Sequence, residues 1–174
     1  MLTQAVQRAS RCSLTLPHSC PLTGAGVMAV AAINTSTLIT SLPHPADAPR
    51  LVWRTTVSAG AFAVPLGRIV SDIYEPQVRA EMPKGSPEPM RVALVRGGTS
   101  SALSSADALV SSLTFNGKSV LENGDAFRQF VFEEAAREGG KTPYADLARS
   151  IADFRPHVVM YLDGATFVEN VLPE

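Results

Sequence analysis

Small polar residues that can bind a ligand follow the first apolar segment of the chain. Asn34, Thr35 and Ser36 come directly after the predicted strand Val27–Ile33. Their side chains and backbone N–H groups can offer hydrogen bonds to a small polar ligand at the end of a strand. The same residues also fit the cap of a short helical turn that would extend through Leu42. Spacing alone leaves both interpretations open.

A second group of such residues follows the predicted strand Arg91–Val95. Arg96 and Gly97 lead into a loop made of Gly98, Thr99, Ser100 and Ser101. Free backbone N–H groups at the start of a helix attract anions, so this loop is a weak candidate for a phosphate site. Its hydroxyl residues can equally cap the helix that follows.

Asp163 is the remaining candidate, because it follows the apolar segment His157–Leu162. Its carboxylate can reach the ammonium group of a ligand or cap the next helix. The chain contains no nucleophile elbow, no glycine-lysine phosphate loop and no dinucleotide fingerprint, so we predict no catalytic residue and no cofactor. Cys12 and Cys20 match no common zinc spacing, and they can either pair or remain free thiols.

These candidates lie on a pattern that predicts an α/β fold. A five-residue apolar strand, a glycine turn and an amphipathic helix follow one another from Arg91 to Leu113, which is half of a parallel α/β unit. Gly117 suits a left-handed cap at the end of that helix. In parallel sheets ligands sit at the carboxyl ends of the strands, where both polar groups are predicted.

The rest of the chain adds further elements of the same kind. Apolar runs predict strands at Leu51–Thr56 and His157–Leu162, and Trp53 in the first of these is expected to be buried. Ala126–Glu134 alternates only in part, so it fits either a strand or a helix, and we favour the strand. Helical spacing covers Ser58–Tyr74, where Pro65 should introduce a kink. A later helix is expected to carry its inner face on Leu147, Ile151 and Phe154.

Composition and proline spacing suggest how these elements are divided. With 174 residues, a formal net charge of −1 and 6% aromatic residues, the chain shows no basic, aromatic surface that would indicate a nucleic-acid partner. We predict an irregular segment 1–26, a first unit 27–75, a proline-rich crossing 76–89 and a second unit 90–174. The apolar run near the N-terminus is interrupted by prolines, so no clear signal peptide is visible.

Several of these segments together resemble the type I periplasmic solute-binding proteins, in particular the leucine/isoleucine/valine-binding branch of ABC importers. The similar segments, in order from Val27 to Glu174, are NTSTLITSLP, LVWRTTVSA, RVALV with SADAL, LTFNGKSVLENGDAFRQF and FRPHVVMYLDG. The loop after the central strand departs from the family pattern, because it lacks the tyrosine that would line the cleft.

The resemblance implies Rossmann-like parallel sheets in a two-lobed clamshell. On this resemblance the chain would contain the end of the first lobe and the first part of the second. We therefore expect it to be a fragment of a two-lobed protein. It further implies that an amino acid or similar small polar solute binds between the lobes without catalysis, that Asn34, Thr35 and Ser36 hold the carboxylate, and that an ABC permease is the partner. A periplasmic or lipid-anchored extracytoplasmic location follows from the same resemblance.

Two other hypotheses remain open. The chain can be a nucleotide- or phosphate-binding α/β enzyme or regulatory domain that uses the loop from Arg96 to Ser101. It can also be a truncated remnant that binds nothing.

Overall fold

The computed structural model describes residues 26–40, 50–132 and 144–162. These residues form mixed α/β structure with parallel sheets, about 48% helix and 21% strand, which confirms the α/β class. The strands are β1 (Ala29–Ala31), β2 (Val52–Arg54), β3 (Val92–Arg96), β4 (Thr114–Phe115), β5 (Lys118–Ser119), β6 (Phe127–Val131) and β7 (Val158–Leu162). The α-helices are α1 (Ala59–Ile69), α2 (Glu75–Glu81), α3 (Ser100–Ser112) and α4 (Tyr144–Phe154).

The main sheet has β3 at its centre, with β6 on one side and β7 on the other, and all three strands are parallel. Val92 and Leu94 pack on one face with residues of α3, whereas Ala93 and Val95 pack on the other face with residues of α4. Both faces of β3 are therefore covered, which explains why its sequence is a continuous apolar run.

The α3 prediction is confirmed together with its cap. Thr99 adopts an extended conformation, and its side-chain oxygen accepts a hydrogen bond from the backbone N–H of Ala102 at 3.1 Å. Ala106 and Leu109 are buried at the expected spacing. The helix ends at Ser112. Gly117 does not cap it, because Asn116 and Gly117 instead form the turn between β4 and β5, with φ of 53° and 69°.

The segment FNGKSVLENGDAF, residues 115–127, folds around the side chain of Asn116. Asn116 Oδ1 accepts from the backbone N–H of Met90 at 2.9 Å and from the guanidinium of Arg79. Its Nδ2 donates to Met90 O at 3.0 Å and to Asn123 Oδ1 at 2.7 Å. Asn123 in turn donates to Phe115 O at 3.0 Å. The two asparagines thus join the hairpin to the start of β3 and to the 3-10 helix Leu121–Ala126.

The helix that follows β2 is longer than the sequence pattern indicates. Ser58 caps α1, a π-helical turn covers Val70–Tyr74, and α2 continues to Glu81, so the first part of the proline-rich crossing is helical. Pro65 lies inside α1. Gly67 lies close to the end of α3, because a Cβ built there would lie 3.6 Å from Ser112 O and 3.5 Å from Cα of Leu113, the next residue.

The small parallel sheet of β1 and β2 differs most from expectation. The predicted buried strand Val27–Ile33 is a strand only at Ala29–Ala31, and Ala31 alone is buried within it. Trp53 is 53% exposed and pairs in register with Val30, so the expectation that it is buried is wrong. Its indole N–H donates to Arg50 O at 2.9 Å, which satisfies the polar atom at the surface.

Two further predicted strands and one predicted helix are confirmed within a few residues, whereas segment 1–25 and the helix expected after Asp163 lie outside the described residues. The strand Ala126–Glu134 is observed at Phe127–Val131, and His157–Leu162 is observed at Val158–Leu162. Ile151 and Phe154 are buried on the inner face of α4, as the spacing predicts, and Leu147 packs against the same core.

Candidate functional site

The loop residues Asn34, Thr35 and Ser36, the first candidates from the sequence, lie against the first turns of α3. Asn34 Oδ1 accepts a hydrogen bond from the backbone N–H of Ser36 at 2.8 Å, a local turn that short polar side chains commonly form. The same oxygen accepts from Ser101 Oγ at 3.2 Å, across 67 positions of sequence. The structure therefore brings Asn34 and Ser101, which were predicted separately, into direct contact.

Ser36 makes a second link between the same two elements. Its side chain is buried, with 2% of the residue exposed, and its Oγ lies 3.2 Å from Ser104 Oγ. Ser36 Oγ also accepts from the backbone N–H of Leu38 at 3.3 Å, so it caps the 3-10 turn Thr37–Ile39. The capping interpretation is thus correct for Ser36, and the capping side chain also faces α3.

Thr35 joins the start of α1 to this loop. Its carbonyl oxygen accepts from the backbone N–H of Ala59 at 2.9 Å, and Ala59 is the first residue of α1. Near the other ends of the helices, Gly67 of α1 faces Leu113, directly after α3. Because their starts both adjoin residues 34–36 and their later turns face each other, α1 and α3 run side by side in the same direction. The partial positive charges of both N-termini consequently lie near this loop.

Two residues that the sequence did not single out help to build the site. Arg54, at the end of β2, donates to Ser36 O at 2.8 Å and to Thr40 Oγ1 at 3.0 Å. Ser104 lies one helical turn after Ser101, and this spacing of three was the signal that could have found it. The ion pairs among the described residues do not include Arg54, so its positive charge is not neutralised by them.

The second candidate loop lies open at the carboxyl end of β3. Gly98, Thr99 and Ser100 are exposed, and a Cβ built on Gly98 would meet no atom within 4 Å. Arg96 donates from Nη1 to Gly97 O at 3.2 Å, while its buried Nε has no hydrogen-bond partner. Backbone donors and a guanidinium are therefore close together in sequence at this edge of the sheet.

The strand order of the main sheet also indicates a ligand site at the carboxyl end of β3. The strands lie in the order β6-β3-β7, and α3 and α4 cover opposite faces, as in a doubly wound sheet. In sheets of this kind ligands bind where the strand order reverses, which here is between β3 and β7. Arg96 and Leu162 are register partners at the carboxyl ends of β3 and β7. Asp163 follows Leu162 in sequence and lies outside the described residues.

The side chains around residues 34–36 and the loop after β3 can offer hydrogen bonds and positive charge to a ligand. Hydroxyl groups, an amide, helix N-termini and two guanidinium groups favour a carboxylate or phosphate of a ligand. Within residues 26–40, 50–132 and 144–162, no three histidine, cysteine or acidic side chains come together to hold a metal ion. Over the same ranges, no helix combines the length and the apolar character needed to cross a bilayer.

Comparisons with protein-family models, with curated proteins and with solved structures find no match to this chain.

Proposed function

We propose that the chain is a solute-binding module that holds a small polar solute through its carboxylate and performs no covalent chemistry. The observation that carries the proposal is the hydrogen bond from Ser101 Oγ to Asn34 Oδ1, which joins the two loops predicted to contact a ligand. The start of α1 at the same loop adds a second helix N-terminus, which favours a negatively charged group.

Binding would exchange hydrogen bonds within the protein for hydrogen bonds to the ligand. The hydroxyls of Ser101 and Ser104 now donate to, or accept from, Asn34 and Ser36, and a hydroxyl can rotate towards a carboxylate at little cost. Backbone N–H groups in the first turn of α3 have no partner within the helix and can complete the shell.

The finer form of the proposal is a type I periplasmic solute-binding protein of an ABC importer. The sequence resemblance supports it, and the parallel α/β architecture is compatible with it. In this form the solute is an amino acid or a similar molecule, the protein works outside the cytoplasm, and the ligand-bound protein is recognised by a membrane permease.

A thermal-shift experiment with the full chain tests the proposal. Leucine, valine, glutamate, inorganic phosphate and ATP are added separately, and a ligand that binds only the folded protein stabilises it by about 2.7 kcal/mol at a hundredfold excess over its Kd. We expect an amino acid to raise the Tm. No shift with any amino acid, in a protein that unfolds cooperatively, would contradict the proposal. A shift with phosphate or ATP alone would then favour the second candidate function below, and no shift with any of the five compounds would favour a remnant that binds nothing.

The variant Gly98→Val separates a binding defect from a folding defect. Because nothing lies within 4 Å of a Cβ at Gly98, the fold should accept the side chain, whereas a ligand in this loop would not. The matched control is Ser111→Val, at an exposed position near the other end of α3. Without ligand, we expect the Tm of Gly98→Val to remain close to that of the control. The rise in Tm that an amino acid causes should be lost in Gly98→Val and kept in the control.

The second candidate function is phosphate or nucleotide binding at the loop from Arg96 to Ser101. The Arg96 guanidinium next to the exposed residues Gly98, Thr99 and Ser100 favours it. Its Nε is buried without a hydrogen-bond partner, and a turn of the side chain towards a bound phosphate would give this donor an acceptor. Isothermal titration of wild type and Arg96→Gln with inorganic phosphate and ATP tests this function. Phosphate binding that is lost in Arg96→Gln would support it, and heat signals limited to amino acids would exclude it.

A further inference from the structure

His157 forms the first contact between β7 and the central strand. The backbone N–H of Arg91 donates to His157 Nδ1 at 2.9 Å, and the backbone N–H of His157 donates to Arg91 O at 2.8 Å. A backbone N–H can only donate, so Nδ1 must carry a lone pair in this arrangement. The imidazole is consequently neutral, with its proton on Nε2.

The surroundings of His157 oppose a positive charge on the ring. The imidazole is half-buried, and this burial is the main reason that the pKa of His157 is below its ordinary value of 6.5. Repulsion from Arg91, in the segment before β3, and from Arg79 of α2 lowers the pKa further, whereas Glu88 raises it. Glu88 is already paired with Arg91 Nη2 at 2.8 Å, so it is not free to turn wholly towards the imidazole.

We propose that His157 is a pH-sensitive latch that holds the start of β7 against the start of β3. A protonated Nδ1 cannot accept the hydrogen bond from Arg91 N–H, and the new positive charge would face Arg91 and Arg79. Acid therefore opens the first contact between the two strands. This inference concerns the amino ends of the strands and does not depend on the proposed function at their carboxyl ends.

The direction of the effect follows from proton linkage. Because the pKa of His157 is lower in the folded protein than in the unfolded chain, the stabilisation is fully present above about pH 6.5 and is lost as the pH falls through the folded pKa. One proton taken up on unfolding raises the unfolding constant by at most about tenfold for each pH unit in that window.

Urea unfolding of the full chain between about pH 5.5 and pH 7.5 tests the latch. His157→Asn is the informative variant, because an amide oxygen can accept from Arg91 N–H but does not titrate. The matched control carries His18→Asn and His44→Asn, which removes the other two of the three histidines. We expect wild type and control to lose stability in acid, while His157→Asn keeps a nearly constant unfolding constant over this window.

NMR titration of the His157 imidazole in the wild-type protein provides a second measurement that needs no variant. A pKa below about 6.5, with loss of exchange protection at Arg91 and Val158 in acid, supports the latch. An unchanged pH dependence in His157→Asn would overturn it. A His157 pKa at or above the ordinary value would do so as well, even if the variant failed to fold.

Discussion

Replacing Asn116 with alanine should cost a large part of the stability of the protein. The Asn116 side chain makes two hydrogen bonds to the backbone of Met90. Its Oδ1 accepts from Met90 N–H at 2.9 Å, and its Nδ2 donates to Met90 O at 3.0 Å. Met90 is 0% exposed, so water does not readily replace these bonds. Each buried backbone group left unpaired costs about 1–3 kcal/mol.

The backbone adds a second contribution at the same position. Asn116 has a φ of 53°, a left-handed conformation that asparagine tolerates and alanine adopts at a cost of about 1 kcal/mol. Together these effects give an expected loss of about 4 kcal/mol, against a total stability of about 5–15 kcal/mol for a typical domain.

Urea denaturation followed by far-UV circular dichroism measures this loss. Asn116→Gly removes the same hydrogen bonds but relieves the strain of the alanine backbone, so it should be about 1 kcal/mol more stable than Asn116→Ala. Lys118→Ala, at an exposed position in the same hairpin, is the control and should change stability by less than about 0.5 kcal/mol. A loss below about 1 kcal/mol in Asn116→Ala would refute the reasoning.

Three further predictions concern packing and exposure. Gly67→Ala should stabilise α1 by up to about 1 kcal/mol in urea unfolding, because alanine is the better helix former. Its Cβ would lie 3.5 Å from Leu113 Cα, which is an ordinary contact, so the methyl group fits. Gly67→Leu should instead destabilise the protein, and equal effects of the two would contradict the close approach of α1 and α3. Leu109→Ala should cost about 3 kcal/mol in the same assay, because Leu109 is fully buried; a loss under about 1 kcal/mol would argue against this core. Trp53 fluorescence should be readily quenched by iodide in the native protein, whereas strong protection would place the indole inside.

The candidate site could be predicted only in pieces. The sequence indicates that Asn34 and Ser101 each follow a strand, but it does not show that they touch. Their contact depends on how α1 and α3 pack, since both helices must begin at the same loop for Ser101 Oγ to reach Asn34 Oδ1. Arg54 was missed for the same reason, because its partners Ser36 and Thr40 belong to a different segment.

The sequence by itself determined the elements whose signals are local. The apolar run of β3, the helical spacing of α3 with its Thr99 cap, and the inner face of α4 all follow from neighbouring residues. These signals are reliable because burial on both faces of a parallel strand, or on one face of a helix, leaves a fixed period in the chain.

Only the tertiary structure decided how residues distant in sequence share an environment. It exposes Trp53 because the described residues leave its face of the two-stranded sheet open, although a lone tryptophan in an apolar run suggests a buried position. Asn116 and Gly117 form the turn of a hairpin rather than a helix cap, because the side-chain amide of Asn116 makes hydrogen bonds with Met90 and Asn123. Burial and long-range hydrogen bonds depend on packing between elements, and this packing leaves no periodic signal in the sequence.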